Sequence, residues 1–188
     1  MKSVLISIRP KWTEKIASGQ KTIEVRKTAP KEVPFKCYIY ETKGQYVKFT
    51  HGAHTKYGYG RGKVIGEFIC DRIICSQAYF DSQGKNHLTN VFPDDIKKTC
   101  LDEYDLWDYI AGKAVKANQM YDGYLWHISD LKIYDKPREL SEFRKPCDRF
   151  LDCCTCRRLV HNEYMSCDNK ITRPPLSWCY VEDLGEEE

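Results

Sequence analysis

Residues 4–8 (Val-Leu-Ile-Ser-Ile) form a run of β-formers that stops at Arg9-Pro10, and this pattern predicts a strand. Pro10 suits the first position of a helix and Gly19 suits the residue just past its end. A short helix is therefore expected over 11–18, with Trp12 and Ile16 one turn apart on its apolar face. A second strand is expected over 21–27. Its alternation points Ile23 and Val25 one way and Thr22, Glu24 and Arg26 the other. Residues 34–41 predict a third strand, and 42–62 a long loop or distorted hairpin rich in Gly, Tyr, His, Lys and Arg. The most hydrophobic strand pattern covers 63–75, with a bend or split expected at Asp71-Arg72. Residues 94–113 read as helical in two pieces. The second starts near Asp102 and stops at Gly112, with Leu101, Tyr104, Leu106 and Ile110 as its buried positions. Residues 124–134 return to strand, and from Pro137 onward turns, cysteines and prolines dominate.

Composition narrows the class. The chain has 188 residues, 41% hydrophobic and 30% charged, with a mean hydropathy of −0.61. Those values suit a globular protein and exclude a long disordered tract. No apolar run approaches the roughly 18 residues a membrane helix needs, and the N-terminal apolar run is too short for a signal peptide. A cytoplasmic location is expected. The net charge of +3 conceals a segregation. Residues 1–65 carry 14 Lys/Arg against 4 Asp/Glu, a net +10, and the remaining residues carry 16 against 23, a net −7. A basic half of this kind favours a polyanionic partner; the alternative is a solvated basic surface.

The ten cysteines fall into two groups. Cys37, Cys70, Cys75 and Cys100 are scattered among apolar residues and are expected to pack. Cys147, Cys153, Cys154, Cys156, Cys167 and Cys179 crowd into the last 42 residues. The spacing of Cys147, Cys153, Cys156 and Cys167 has the arithmetic of a small structural zinc site, with Cys154 and Cys179 as substitutes. Such a site would staple a turn-rich segment that has little core of its own. The alternative is a reduced, metal-free tail packed on the main domain. Trp178, after Pro174 and Pro175, is expected to dock on that domain and bring the tail back over it.

One stretch carries a family resemblance. Residues 19–26, Gly-Gln-Lys-Thr-Ile-Glu-Val-Arg, resemble the G-x-K-x-x-E-x-R signature of the ASCH domain, a PUA-like β-barrel. Ser7-Ile8-Arg9-Pro10 before a short helix, Gly66-Glu67-Phe68 and Trp126-His127-Ile128 fit the same family. The whole chain is similar to small ASCH proteins of bacteria and their phages. The resemblance implies an α+β fold: a PUA-like β-barrel with short flanking helices over 1–135, and a cysteine-rich extension over 136–188. It also implies a cleft beside the barrel that takes RNA or a nucleotide, lined here by Lys21, Glu24 and Arg26.

The chemistry of those three residues suits that role. Lys and Arg offer positive charge to phosphate, Arg bidentately, and Glu24 accepts from a base amino group or acts as a base. The bland alternative is an exposed Glu24–Arg26 ion pair worth under about 1 kcal/mol. Secondary contacts are expected from Ser7, Arg9, Thr22, Tyr57 and Arg61, the last two in a loop whose aromatic and basic side chains suit base stacking. The expected function is binding of RNA or a modified nucleotide. The competing class is an enzyme, either a ribonuclease or an amidohydrolase of the N4-acetylcytidine type, with Lys21 and Glu24 as its catalytic residues. In that amidohydrolase motif a Thr nucleophile follows three residues after the Lys; Glu24 stands there in this chain, and a carboxylate in place of the hydroxyl removes the usual acyl-transfer nucleophile. His127 is a further candidate for a nuclease, against a packed, hydrogen-bonded role in an apolar strand. A protein-interaction adaptor using the Tyr-rich loop is the third possibility.

Overall fold

The computed structural model describes residues 2–51, 54–112, 115–116, 119–146 and 169–185. One sheet has five strands in the order β10 (Ser129–Arg138), β6 (Lys63–Cys70), β3 (Phe35–Glu41), β1 (Lys2–Ile8) and β11 (Trp178–Val181). A second has four in the order β2 (Ile23–Arg26), β9 (Tyr121–His127), β7 (Ile73–Phe80) and β8 (Asn86–Leu88). β4 (Gly44–His51) and β5 (His54–Gly60) form a hairpin of their own, where a loop or distorted hairpin was expected.

β1 lacks polar alternation because both of its faces are covered, as in a central strand with layers on either side. Val4, Ile6 and Ile8 enter the core between the sheets with Phe35, Ile39, Phe68 and Trp126. Leu5 faces the other way, onto Tyr38, Val64, Phe143 and Ile171. The C-terminal residues thus complete the first sheet twice, by adding β11 to its edge and by covering its outer face. Helix α1 (Pro10–Ala17) has Pro10 in its first turn and ends before Gly19, whose φ of +74° needs no side chain. Its Ile16 is fully buried in the inter-sheet core.

The second sheet is layered the same way. Ile23, Val25 and Leu125 pack on its outer face under α3 (Glu103–Ala111), while Trp126 faces the first sheet. The expected split helical region appears as α2 (Pro93–Thr99) and α3. The Asp102 carboxylate accepts from the Asp105 N–H at 2.7 Å, capping α3. Leu106 and Ile110 are buried as expected, joined by Trp107 and Ala111, whereas Tyr104 is 67% exposed. That expectation fails because the apolar stripe follows the pairs 106/107 and 110/111, one turn apart, and Tyr104 falls outside it.

Of the expected closed or nearly closed barrel, the closed form is not present: among the described residues the strands make two open sheets and the β4–β5 hairpin. The sheets are joined by strands that bend from one into the other. β6 passes into β7 across Asp71-Arg72, and β9 into β10 across Ile128. Ile69 pairs with Ser129 in the first sheet, while Ile73 pairs with Trp126 in the second. The two strand pairs thus form a corner shared by both sheets. On the opposite side the ladder stops. β2 is only four residues long and pairs only with β9, and β11 pairs only with β1.

The corner is clasped by His127. Its backbone N–H donates to Arg72 O at 2.9 Å, and its Nδ1 lies 2.6 Å from Asp71 Oδ1. The hydrogen bond from His127 is the main reason the Asp71 carboxyl is held below the usual carboxylate range. A lowered carboxyl stabilises the fold above its unfolded-state value, and that contribution fades as pH falls through the folded-state value. The pair is half exposed, so Asp71→Ala is expected to lower stability at neutral pH by under about 1 kcal/mol. Urea unfolding at neutral pH and near about pH 3 checks this. The gap between variant and native should close in acid, and an equal gap at both would refute the clasp.

Candidate functional site

β2 is the edge strand at which the sheet-to-sheet ladder stops, and its inward-facing residues are charged. Glu24 Oε2 lies 3.3 Å from Lys21 Nζ, and Glu24 Oε1 lies 3.0 Å from Arg26 Nη2. All three side chains are at least nine-tenths buried. Two cations and one carboxylate leave this buried cluster with a net charge of +1.

The three residues are not equivalent. Lys21 donates to Ile23 O at 2.8 Å and to Thr99 O at 2.9 Å, and its third N–H faces Glu24. An ammonium has three donors, so Lys21 is satisfied. Its charge also sits 5.4 Å from the centre of the Trp12 ring. Arg26 reaches across the gap between the sheets, where Nη2 donates to Ser7 O at 2.7 Å. Nη1 makes only a 3.4 Å contact with Ser177 Oγ. Arg26 Nε is buried with no acceptor among the described residues, and so is Trp126 Nε1. These two donors are close in the ladder, because Trp126 pairs with Glu24 and Arg26 is two residues further along the same edge.

The C-terminal strap lies over this seam. Ser7 Oγ donates to Pro175 O at 2.7 Å, and Ser7 N–H donates to Ser177 O at 2.9 Å. Trp178 docks as expected, edge-on to Trp126 at 5.9 Å between ring centres, with its indole N–H donating to Thr28 Oγ1 at 3.0 Å. Leu176, between these anchors, is fully exposed.

The remaining predicted residues lie around the cluster or away from it. Thr22 precedes β2, and its backbone bonds to Lys98 O and to the Ile128 N–H. Arg9, the residue before α1, is exposed. Tyr57 is exposed on β5. Arg61, also exposed, stands at the foot of the hairpin, where its N–H donates to Glu41 Oε1 at 2.9 Å. His127 is committed to the Asp71 corner. Tyr109 was missed by sequence reasoning. Tyr109 is 39% exposed, and partial burial raises its pKa. Lys27 Nζ stands 5.9 Å from the Tyr109 ring centre. The helical stripe of α3 predicts only which residues are buried and carries no signal for this neighbour.

Among the described residues, no group of three or more His, Cys, Asp or Glu could hold a metal ion. The expected zinc ligands Cys147, Cys153, Cys156 and Cys167, with Cys154, lie outside the described residues. No described helix is long and apolar enough to cross a membrane.

No protein-family model and no curated protein matches the sequence. Solved structures do match the fold. A crystal structure of ASCH from Zymomonas mobilis superposes with a TM-score of 0.51 at 18% identity, covering 96% of this chain and 88% of that one. Tyr-to-Phe and Ser-to-Ala variants of the Zymomonas mobilis protein each superpose with a TM-score of 0.50 at 16% identity. They cover 97% and 96% of this chain, and 91% and 89% of theirs. The chain has the ASCH fold. In this ASCH fold the signature residues Lys21, Glu24 and Arg26 meet at the seam between the sheets, where the first two hold Arg26 in place.

Removing Glu24 would leave two buried cations unpaired, and breaking a buried pair by taking one partner costs about 3–5 kcal/mol. Glu24→Ala is expected to lose that much in urea unfolding, with the exposed Glu32→Ala as control. A loss no larger than the control's would show that the cluster does not hold the seam.

Proposed function

We propose that this chain binds RNA or a nucleotide at the sheet seam, with Arg26 as the central contact and Arg9, Lys27 and Tyr109 around it. The observation that carries this reading is the pair of buried donors without acceptors, Arg26 Nε and Trp126 Nε1, beside a cluster of net positive charge. Buried donors are nearly always paired, so two neighbouring exceptions call for an acceptor from outside the chain. An anionic, oxygen-rich ligand supplies both the charge and the lone pairs. Tyr109 offers a ring on which a base can stack, and the basic N-terminal third favours a polyanion over a small neutral molecule.

The geometry supports binding more than catalysis. Both Glu24 oxygens face a cation, so taking up a substrate proton would break an ion pair. All three Lys21 donors are engaged. The strap matters to access, since Pro175 and Ser177 hold Ser7 and Ser177 Oγ touches Arg26 at the place the ligand would enter.

Titration of a labelled unpaired RNA and of a mononucleotide, at low and moderate salt with product analysis, tests this. Affinity is expected to fall with salt while the RNA stays intact. Arg26→Ala should weaken both ligands at least tenfold, a loss of about 1.4 kcal/mol. The exposed pair Arg9→Ala and Lys27→Ala should weaken RNA without disturbing the fold. Unchanged affinity in all three variants would overturn the assignment, and a cut strand or altered base would make the protein an enzyme.

We also propose a structural zinc held by Cys147, Cys153, Cys156 and Cys167. The described residues on either side of these cysteines lie together: Lys145 N–H donates to Asn169 O at 3.0 Å and Arg144 bridges Lys170. A staple of four thiolates suits a segment whose two ends are joined in this way. Elemental analysis of the full chain should find about one zinc per chain, with the metal lost in Cys153→Ser/Cys156→Ser. Metal-free native protein would refute the site.

A further inference from the structure

Resting on the RNA-binding reading above, we infer that the outward face of the β4–β5 hairpin is a stacking track for the bases of an unpaired RNA strand. The hairpin is laid on α1 by one face only. Tyr46 lies over Gly58, where any Cβ would collide with its ring. Tyr46 also hydrogen-bonds the Glu14 carboxylate, which lies 3.0 Å from Lys48 Nζ. The opposite face is left to solvent. Val47 pairs with Tyr57 and Gln45 with Tyr59, so these four side chains share that face. Tyr57 is 48% and Tyr59 70% exposed.

Their spacing fits a base. Side chains two residues apart on one strand face are separated by about 6.6 Å. Stacked bases are spaced by about 3.4 Å. A single base inserted between Tyr57 and Tyr59 would therefore sit at stacking distance from both rings. In a duplex the bases already stack on each other and show only their edges, so the track selects an unpaired strand.

The charge pattern selects nucleic acid over a protein. There is no Asp or Glu between Glu41 and Glu67, while Lys43, Lys48, Lys56, Arg61 and Lys63 fall in that stretch. Lys48 is paired with Glu14 and Lys63 with Glu139, which leaves Lys43, Lys56 and Arg61 as the cations for phosphates on a hairpin that carries no carboxylate of its own. The track also leads to the seam. Gly60, at its foot, abuts the Pro10 ring. Arg9 precedes Pro10 and follows by two residues Ser7, whose carbonyl accepts from Arg26 Nη2 at 2.7 Å. One strand can thus lie with a phosphate at Arg26 and its next bases on Tyr59 and Tyr57.

The test compares a mononucleotide, an unstructured RNA of about twelve nucleotides and a duplex of the same length, against native protein, Tyr57→Ala/Tyr59→Ala and Tyr57→Phe/Tyr59→Phe. The unpaired RNA is expected to bind at least tenfold tighter than either other ligand. The alanine variant should lose about tenfold or more in RNA affinity, keep mononucleotide affinity, and be rescued by the phenylalanine variant. Native-like RNA binding by the alanine variant, or equal binding of duplex, would overturn the track. A mononucleotide that binds as tightly as RNA would also overturn it, while leaving the seam assignment standing. Failure of all three ligands would overturn both.

Discussion

The structure depends on one guanidinium crossing a gap. β11 pairs with β1 from Ser3 to Ile6 and leaves it there. Ser7 is the first position at which the β1 edge is exposed to the space between the sheets. Its N–H is taken by Ser177 and its carbonyl by Arg26, so a side chain from the second sheet continues the ladder where the backbone ladder ends. A buried carbonyl without a donor is costly, and a second hydrogen-bonding strand would have closed the barrel instead. The chain uses a charge for this task, and a buried charge needs a counter-charge. Glu24 supplies it, and Lys21 in turn fixes Glu24 while tying the start of β2 to the end of α2 through Thr99. The signature spacing has a simple geometric reading: residues 24 and 26 share a strand face, and residue 21 precedes the strand and folds back to meet them.

Structural necessity and binding are coupled at this seam. A cluster that only held two sheets together would be neutral and fully paired, because an uncompensated buried charge is expensive. This one is positive and leaves Arg26 Nε and Trp126 Nε1 without acceptors. The strap offsets part of that deficit, since Ser177 Oγ gives Arg26 a long contact and Pro175 O takes the Ser7 hydroxyl. It behaves as an incomplete internal ligand. The indole of Trp178 anchors one end against Trp126 and Thr28, while Leu176 stands clear of the surface. Under the proposed function, the deficit that weakens the unliganded fold is the feature that would give a ligand its binding energy.

Much of this was legible in the sequence, and the rest was not for identifiable reasons. The alternation Ile23, Val25 against Glu24, Arg26 correctly separates the face under α3 from the face toward the first sheet, because strand periodicity depends only on the backbone. The break at Asp71-Arg72 is visible because two charged residues interrupt an apolar run. The burial of the triad is not legible, since three charged residues in six read as surface on composition alone; only their mutual pairing makes burial tolerable. The hairpin register escaped because its strands are flanked by glycines and carry a bulge between Val47 and Phe49, which breaks the alternation. Tyr104 was misplaced by counting turns from Leu101, and Tyr109 was overlooked because its role comes from a neighbour on another element.

The open side of the sheets explains why function collects where it does. On the clasped side, His127 and Asp71 lock continuous bent strands, and the backbone pairs through two ladders that meet at the corner, the β6–β10 ladder with register shifts along it. On the other side two sheet edges face each other without a shared ladder, so every polar group there must find a side-chain, strap or ligand partner. A closed barrel would have no such need and no such opening. Lys27 stands just past the end of β2 and Arg9 just past the end of β1, so positive charge converges on this seam from both sheets. Positive charge therefore gathers where the backbone is least self-sufficient, and under the proposed function an anion entering there would meet both cations and unpaired donors. The incomplete closure of the sheets is what leaves that seam open to an outside partner.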